Sequence, residues 1–443
     1  MMDMPPSPKF RKLIGPSFIL LGLGLGSGEV ILWPYLTSNF GMGIIWGAIL
    51  GITFQFFMNM EIERYALVRG ESVFVGFARY LKLAPVWFIF STFAGFAWPG
   101  IISASAVLFS KLLGIDSKLL GICLLILIGV ILTLGPVLYK TVERFSMILI
   151  GIGVPTLFAF TLYLAKVSDW QALGAGIVNF GYLPVGIPIA SFLAAFAFSG
   201  AGGNLNLAQS FYVKEKGYGM GKFGGRITSI LTGRQEEIKL EGTKFEMTKE
   251  NLSRFRKWWK LINIEHLIIF WAMGLISICL LSLLSFSTTY GKGLSSGISF
   301  VIEEASVIGT PIFLILIGLM LFSTQMTVMD ATSRIMSENL LIIKKDKWKT
   351  SSLPKIYYSF LWAQIIAGII IFLSGKSEPL FLLTIEAIVN AGAMFIHIGA
   401  VTVLNVFSLE PGIRPGLFRI AMMISAFVFF AYFLLKIIPG VSI

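Results

Sequence analysis

Charge is scarce in this chain. Asp, Glu, Lys and Arg make up 13% of its 443 residues, against 56% hydrophobic residues and a mean hydropathy of +0.84. Water-soluble globular chains carry about a quarter charged residues, so that class is excluded. Cysteine is scarcer still: Cys123 and Cys279 both fall inside apolar runs. Two such residues make neither a disulfide framework nor a zinc site, and they read as small buried hydrophobes. No phosphate-cradling Gly-rich loop with a following Lys-Ser/Thr is present, which argues against an ATP-driven pump. A potassium-filter sequence, a Ser-His-Asp set and an HExxH pattern are missing too, so neither a potassium channel nor a membrane hydrolase is supported, and the chain is not expected to be an enzyme. The first residues, Met1-Met2-Asp3-Met4-Pro5-Pro6-Ser7-Pro8, do not read as a signal peptide, since the following apolar run is too long and has no small-residue cleavage site. Segments of about ten alternating residues, the mark of a membrane barrel, are absent.

What the chain does have is apolar runs long enough to cross a bilayer, about 20 residues each. They number about eleven, near 14–37, 42–67, 84–111, 119–139, 146–166, 187–212, 262–286, 309–340, 356–374, 379–407 and 416–438. The expected fold is therefore an all-α polytopic membrane protein. The net charge of +12 suits loops on the cytoplasmic side better than nucleic acid. Basic residues cluster before the first span (Lys9, Arg11, Lys12) and after the second (Arg64, Arg69, Arg79, Lys82). They recur between the fourth and fifth (Lys140, Arg144), through 213–259, and after the eighth (Lys344, Lys345, Lys347, Lys349). The alternate loops are poor in them. This predicts a multi-pass protein of the cell membrane with a cytoplasmic N-terminus and an extracytoplasmic C-terminus. Segment 213–259 is the one sizeable polar insertion. Glu237–Met247 alternates around Gly242 like a small hairpin, a disordered loop being the alternative. Thr248 then opens a helical stretch into Trp258-Trp259, which suits an interfacial anchor.

Two spans are interrupted where apolar residues would serve a plain helix better. The first contains Gly26-Ser27-Gly28-Glu29 and the sixth Ser199-Gly200-Ala201-Gly202-Gly203-Asn204. Each opens a block of about five spans, a sign of inverted repeats, here 13–166 and 187–407, with 416–438 as an additional helix and 1–443 as one transporter domain. Glycines also permit close helix packing. Two Gly-rich interruptions in matching places favour broken helices, whose free carbonyls coordinate a cation and whose half-helix N-termini take an anionic group.

Glu29 is the first candidate to carry chemistry. A carboxylate at membrane depth costs at least ~2.5 kcal/mol and marks ion or proton pathways. It either ligates a cation, exchanges a proton, or hydrogen-bonds the broken helix. Asp330 lies on a polar stripe with Ser323, Thr327 and Arg334, at helical spacing. It either pairs with Arg334 four residues on or couples ion movement. Glu386, Asn390 and His397 share a face of the tenth span, where His397 is a proton relay or a plain helix contact. Glu61, Glu63 and Arg64 read as an ion-pair cluster at the end of the second span. Gln55 and Trp98-Pro99-Gly100 are further candidates for a cavity wall.

At these residues the chain resembles the NRAMP divalent-metal transporters, which have a LeuT-type fold with the first and sixth helices broken. Gly15-Pro16-Ser17-Phe18 is similar to that family's opening, and 55–70 to its second helix and following turn. Gly26-Ser27-Gly28-Glu29 stands where the family has Asp-Pro-Gly-Asn. Ala201-Gly202-Gly203 stands where it has Met-Pro-His, followed by Asn204-Leu205-Asn206-Leu207 for Asn-Leu-x-Leu, and Gln325 matches a glutamine of its eighth helix. The metal-ligating Asp, Asn and Met thus fall on Gly26, Glu29 and Ala201, and the proton-linked His on Gly203. The resemblance implies a secondary transporter working by alternating access, with Gly26, Ser27, Gly28, Glu29, Ala201, Gly202, Gly203, Asn204 and Gln325 at the substrate, Glu29 as the metal ligand, and Glu29, Asp330, Glu386 and His397 in ion coupling. It does not imply manganese or iron, because a soft thioether is missing. Oxygen ligands suit a harder cation such as Mg²⁺ or a monovalent ion. An organic, amino-acid-like solute on the same fold is the alternative, and a non-transporting scaffold a third. No cofactor is expected. The partners are a small cation or solute and the lipid bilayer, with the oligomeric state left open.

Overall fold

Apolar runs in a bilayer leave the backbone no water to bond, so each must satisfy its own N–H and C=O groups as a helix. The computed structural model describes residues 2–10, 13, 15–134, 138–225, 239–294 and 298–437. The helices are α1 (Pro16–Gly24), α2 (Trp33–Phe40), α3 (Trp46–Arg69), α4 (Val73–Tyr80), α5 (Ala84–Phe96), α6 (Gly100–Leu113), α7 (Ser117–Leu134), α8 (Leu138–Leu164) and α9 (Val167–Val178) in the first half. The second half holds α10 (Ile189–Ala197), α11 (Gln209–Lys216), α12 (Lys249–His266), α13 (Met273–Thr289), α14 (Ser299–Ile308), α15 (Pro311–Ile343), α16 (Leu353–Leu373), α17 (Pro379–Ser408) and α18 (Leu417–Ile437).

Among the described residues, ten helical stretches are long and apolar enough to cross a membrane. The remaining expected span, the sixth, is split into α10, a 3₁₀ turn (Gly203–Ala208) and α11, none of them a full crossing alone. The first span is split as well. Leu25 and Gly26 separate α1 from a π-helical turn (Ser27–Leu32) that leads into α2. Both breaks lie at the centre of the molecule, where residues 192–215 are buried almost without exception, whereas α7, α8 and α18 turn much of their apolar surface outward. That pattern suits lipid at the periphery and a polar, fully packed interior.

Three readings of the sequence change here. Cys123 is exposed on an outer helix and Cys279 is partly so; neither is a buried hydrophobe. A thiol is apolar enough to face lipid as well as core. Segment 213–259 is not one loop: α11 runs to Lys216, and α12 begins at Lys249 and continues through a π turn into α13 as one stretch, Lys249–Thr289. Of the expected hairpin, Glu237 and Ile238 lie outside the described residues, and 239–247 forms irregular chain with a bridge from Phe245 to Met2. The N-terminus supplies the pairing that a second strand would have given. The helix expected from Thr248 is present, with the Thr248 Oγ1 accepting from the Asn251 N–H at 3.2 Å.

Basic loops gather on one face and are tied together there. Arg64 donates to the Ile413 carbonyl at 3.1 Å, Arg69 pairs with Glu410 at 3.3 Å, and Lys216 with Glu143 at 2.6 Å. The N-terminal residues join them: Trp258 Nε1 donates to the Pro5 carbonyl at 2.8 Å and Arg254 to that of Met4 at 2.9 Å.

Candidate ion site at two broken helices

Breaking a helix at membrane depth frees carbonyls and N–H groups that each cost several kcal/mol if left bare. The two breaks solve this with side chains. In the first, Thr324 of α15 donates through Oγ1 to the carbonyls of Gly22 and Leu25, both at 2.9 Å. In the sixth, Gln55 of α3 spans the gap: its Nε2 donates to the Ala197 carbonyl at 3.0 Å and its Oε1 accepts from the Gly202 N–H at 3.1 Å. Trp33 links the two, its Nε1 donating to Ser199 Oγ at 2.9 Å.

Glycine is required where the breaks meet. A Cβ on Gly28 would collide with the Phe198 carbonyl, so backbone packs on backbone there. Gly202 and Gly203 turn the chain through φ of +73° and +53°, the left-handed region that disfavours other residues.

Glu29 occupies the gap this creates. It is 0% exposed, and neither carboxylate oxygen has a hydrogen-bond partner among the described residues. Its Oε1 faces the bare Cα positions of Gly24, at the end of α1, and Gly274, in α13. Gly24 in turn abuts the backbone of Gly200, so the carboxylate sits where the two breaks touch. Gly24, Gly200 and Gly274 therefore come together around Glu29, while Gly26 lies against Thr324, and Gly28 and Gly202 lie against Phe198. A void of about 10 Å³ beside Gly22, Leu25 and Thr324 is about what one water needs.

The other expected residues are distributed around that centre. Gln325, next to Thr324, is buried with its Oε1 unpartnered. Asn204 turns aside: its Nδ2 donates to Ser91 Oγ (2.8 Å) and Thr92 Oγ1 (3.0 Å), and its Oδ1 lies 3.4 Å from His397 Nδ1. His397 also contacts Met58 Sδ at 3.0 Å. Glu386 is buried with Oε2 unpartnered, and Asn390 Nδ2 donates to the Gly95 carbonyl at 2.9 Å while its Oδ1 lies against Gly203. Asp330 is the most fully paired. It accepts from Arg334 Nε at 2.9 Å and from Tyr357 at 2.8 Å, and Arg334 reaches on to Glu215 of α11. Glu61 pairs with Arg64 at 2.8 Å, but Glu63 does not join them, because neighbouring helical positions point about 100° apart.

Sequence reasoning missed the bracing roles of Thr324 and Gln55. A Thr beside Gln325 and a Gln in the second span were visible, but which carbonyls they serve depends on helix packing. Among the described residues, no three His, Cys, Asp or Glu side chains are grouped to hold a metal ion by themselves. Glu29 with backbone and amide oxygens is therefore the donor set on offer.

No family model matches the chain, and no curated protein matches it in sequence. Its fold does match solved structures. A mutant of the Eremococcus coleocola manganese transporter superposes with a TM-score of 0.74 at 11% identity, covering 99% of this chain and 89% of that one. The same transporter in complex with an aromatic bis-isothiourea substituted compound gives 0.73 at 11% identity, covering 98% and 88%. Likeness at this identity fixes the fold: the chain is a multi-pass membrane protein with the LeuT-type arrangement of helices, its first and sixth spans broken.

Proposed function

We propose that the chain is a secondary transporter of a small, hard cation such as Mg²⁺, bound at Glu29 between the two breaks. The observation that carries this reading is the Glu29 carboxylate, wholly buried and unpartnered where both broken helices meet. An unpaired carboxylate at that depth is costly to keep; a cation arriving from either side offsets the cost. Mg²⁺ retains several waters and uses one or two carboxylates with neutral oxygens, and one carboxylate flanked by carbonyls matches that demand. The absence of a thioether at Ala201 removes the soft ligand that favours manganese or iron. That the solved structures sharing the fold are of a manganese transporter supports metal-ion transport as the class.

In this reading, 13–166 and 187–407 are the inverted repeats that rock against each other, and 416–438 is an added helix. Gln325 supplies a neutral oxygen once the site opens. Asp330 with Arg334 holds the bundle, while Glu386 and His397 line the flank of the sixth break. The basic face is cytoplasmic, and the protein resides in the cell membrane.

The test is uptake by proteoliposomes over a panel of divalent and monovalent cations. Mg²⁺ should accumulate, and Glu29→Gln should abolish its uptake while leaving the protein monodisperse. Wild-type uptake persisting in Glu29→Gln would remove the carboxylate from the site.

A further inference from the structure

A second set of unpartnered polar groups lies off the break, toward the basic face. On α3, Gln55, Asn59 and Glu63 recur every four residues and so share one face. Gln55 is the residue that bridges the sixth break, and Glu63 lies about 12 Å further along the helix, eight residues at about 1.5 Å each. Asn59 and Glu63 are both 0% exposed, and none of their four side-chain polar atoms has a hydrogen-bond partner among the described residues. Gln209, at the start of α11, is equally buried and unpartnered, and faces Glu63 without a well-formed bond between them. Glu265, at the end of α12, is near enough to Glu63 for the two charges to act on each other. Ser17 of α1 holds this end together: its Oγ contacts Glu265 Oε2 and lies 2.8 Å from His266 Nδ1. Glu265 Oε1 and His266 Nε2 are left over. His266 is fixed between the rings of Phe56 and Phe270, at centroid distances of 5.7 and 4.7 Å.

Three helices, α3, α11 and α12, thus aim buried, unsatisfied groups at one spot, and two of those groups are carboxyls. Among the described residues, no cation is committed to them. Lys216 approaches Glu265 from α11 but is paired with Glu143 at 2.6 Å. Arg419 of α18 approaches His266 but pairs with Glu61 at 3.4 Å. On α3 itself, Arg64 is taken by Glu61 at 2.8 Å. From α1, Ser17 brings no charge. Like charges that act on each other away from water disfavour the doubly ionised pair. A proton resolves the conflict, and the polar track from Glu63 through Asn59 to Gln55 connects the pair to the break.

We propose that Glu63 and Glu265 form a proton-binding pair, held by Ser17, His266 and Gln209, that loads and releases one proton as the track opens and closes. Binding forms one O–H bond on a carboxyl, with the proton taken from water on the basic face. Release breaks that bond and returns the proton to water, on the same face or by way of the break. Proton binding by the pair does not depend on the chain being an Mg²⁺ transporter; its coupling role does.

Infrared difference spectra of the purified full chain between acidic and alkaline buffer test the pair directly. The wild type should show a protonated-carboxyl band, and one component of it should disappear in both Glu63→Gln and Glu265→Gln. Glu63→Asp should retain that component. In proteoliposomes, both Gln variants should lose Mg²⁺ accumulation driven by a pH gradient while keeping Mg²⁺ exchange without one. A band unchanged in both Gln variants would overturn the proposal, as would gradient-driven accumulation equal to wild type. If the wild type moves no Mg²⁺, the transport reading fails and the infrared arm still decides the proton pair.

Discussion

At the scale of single residues, the molecule spends its polar side chains on repairing its own breaks. Gln55 makes two bonds to the sixth break, at 3.0 and 3.1 Å. Replacing it by Leu removes both at once and leaves a carbonyl and an N–H buried and bare. Each such loss costs about 1–3 kcal/mol, so Gln55→Leu should lower the detergent melting temperature clearly and weaken Mg²⁺ binding. Gln55→Glu keeps the acceptor for Gly202 but loses the donor to Ala197, and should fall between. Thermal unfolding followed by size-exclusion fluorescence ranks the three. The sequence offered Gln55 as a candidate for a cavity wall, which located it without its role. For Glu29 it offered cation ligation, proton exchange or bracing of the helix. The absence of any hydrogen bond to its carboxylate among the described residues argues against bracing, a distinction that depends on where Gly24, Gly200 and Gly274 lie in space.

At the scale of elements, what joins the two broken helices is contact between backbones. Gly28 lies so close to the Phe198 carbonyl that a methyl group cannot fit, and the obstacle is main chain. Gly28→Ala must push the first and sixth helices apart, at a cost of about 1–3 kcal/mol as an overpacking change, and should abolish uptake even where the protein still folds. Gly151→Ala in α8 is the control. An added methyl there meets nothing, and the change suits a helix. Parallel uptake assays of the two variants check the contrast. Arg334 makes the corresponding tie between α15 and α11, with Asp330 and Glu215 as its partners. Arg334→Met leaves two carboxylates buried without their cation and should destabilise by about 3–5 kcal/mol, seen as loss of a monodisperse peak.

The helices themselves were readable, since run length and polarity dictate a crossing wherever water is absent. Both interruptions were readable from their glycines. The Asp330–Arg334 contact followed from its four-residue spacing, but Tyr212, Glu215 and Tyr357 did not, because they come from other helices. Glu63 was misread with Glu61 and Arg64 because proximity in sequence was given more weight than helical phase. The Gln55-Asn59-Glu63 spacing carried the correct signal.

At the scale of the whole molecule, the distribution of charge decides how the chain sits in the bilayer. The N-terminal residues pack on α12, the residues before α12 bridge to the N-terminus, and the loop between α17 and α18 is tied to the end of α3. These segments share one face, and it is the face where Lys and Arg collect. The segment after α16 carries Lys376 and lies one crossing away from Lys349, so it belongs to the other face. Basic loops are retained on the cytoplasmic side during insertion. A cysteine in place of Lys376 should therefore react with a membrane-impermeant maleimide on intact cells. A cysteine in place of Lys244, 56% exposed on the basic face, should react only after the cells are permeabilised. Cys123, on the outer surface of α7, and Cys279 are best replaced by Ser in both variants so that the signal comes from one position. Labelling of Lys244→Cys in intact cells would invert the molecule. The proton pair at Glu63 and Glu265 would then open to the outside and Glu29 would load from the opposite direction, so the same measurement fixes which way a proton gradient drives the cation.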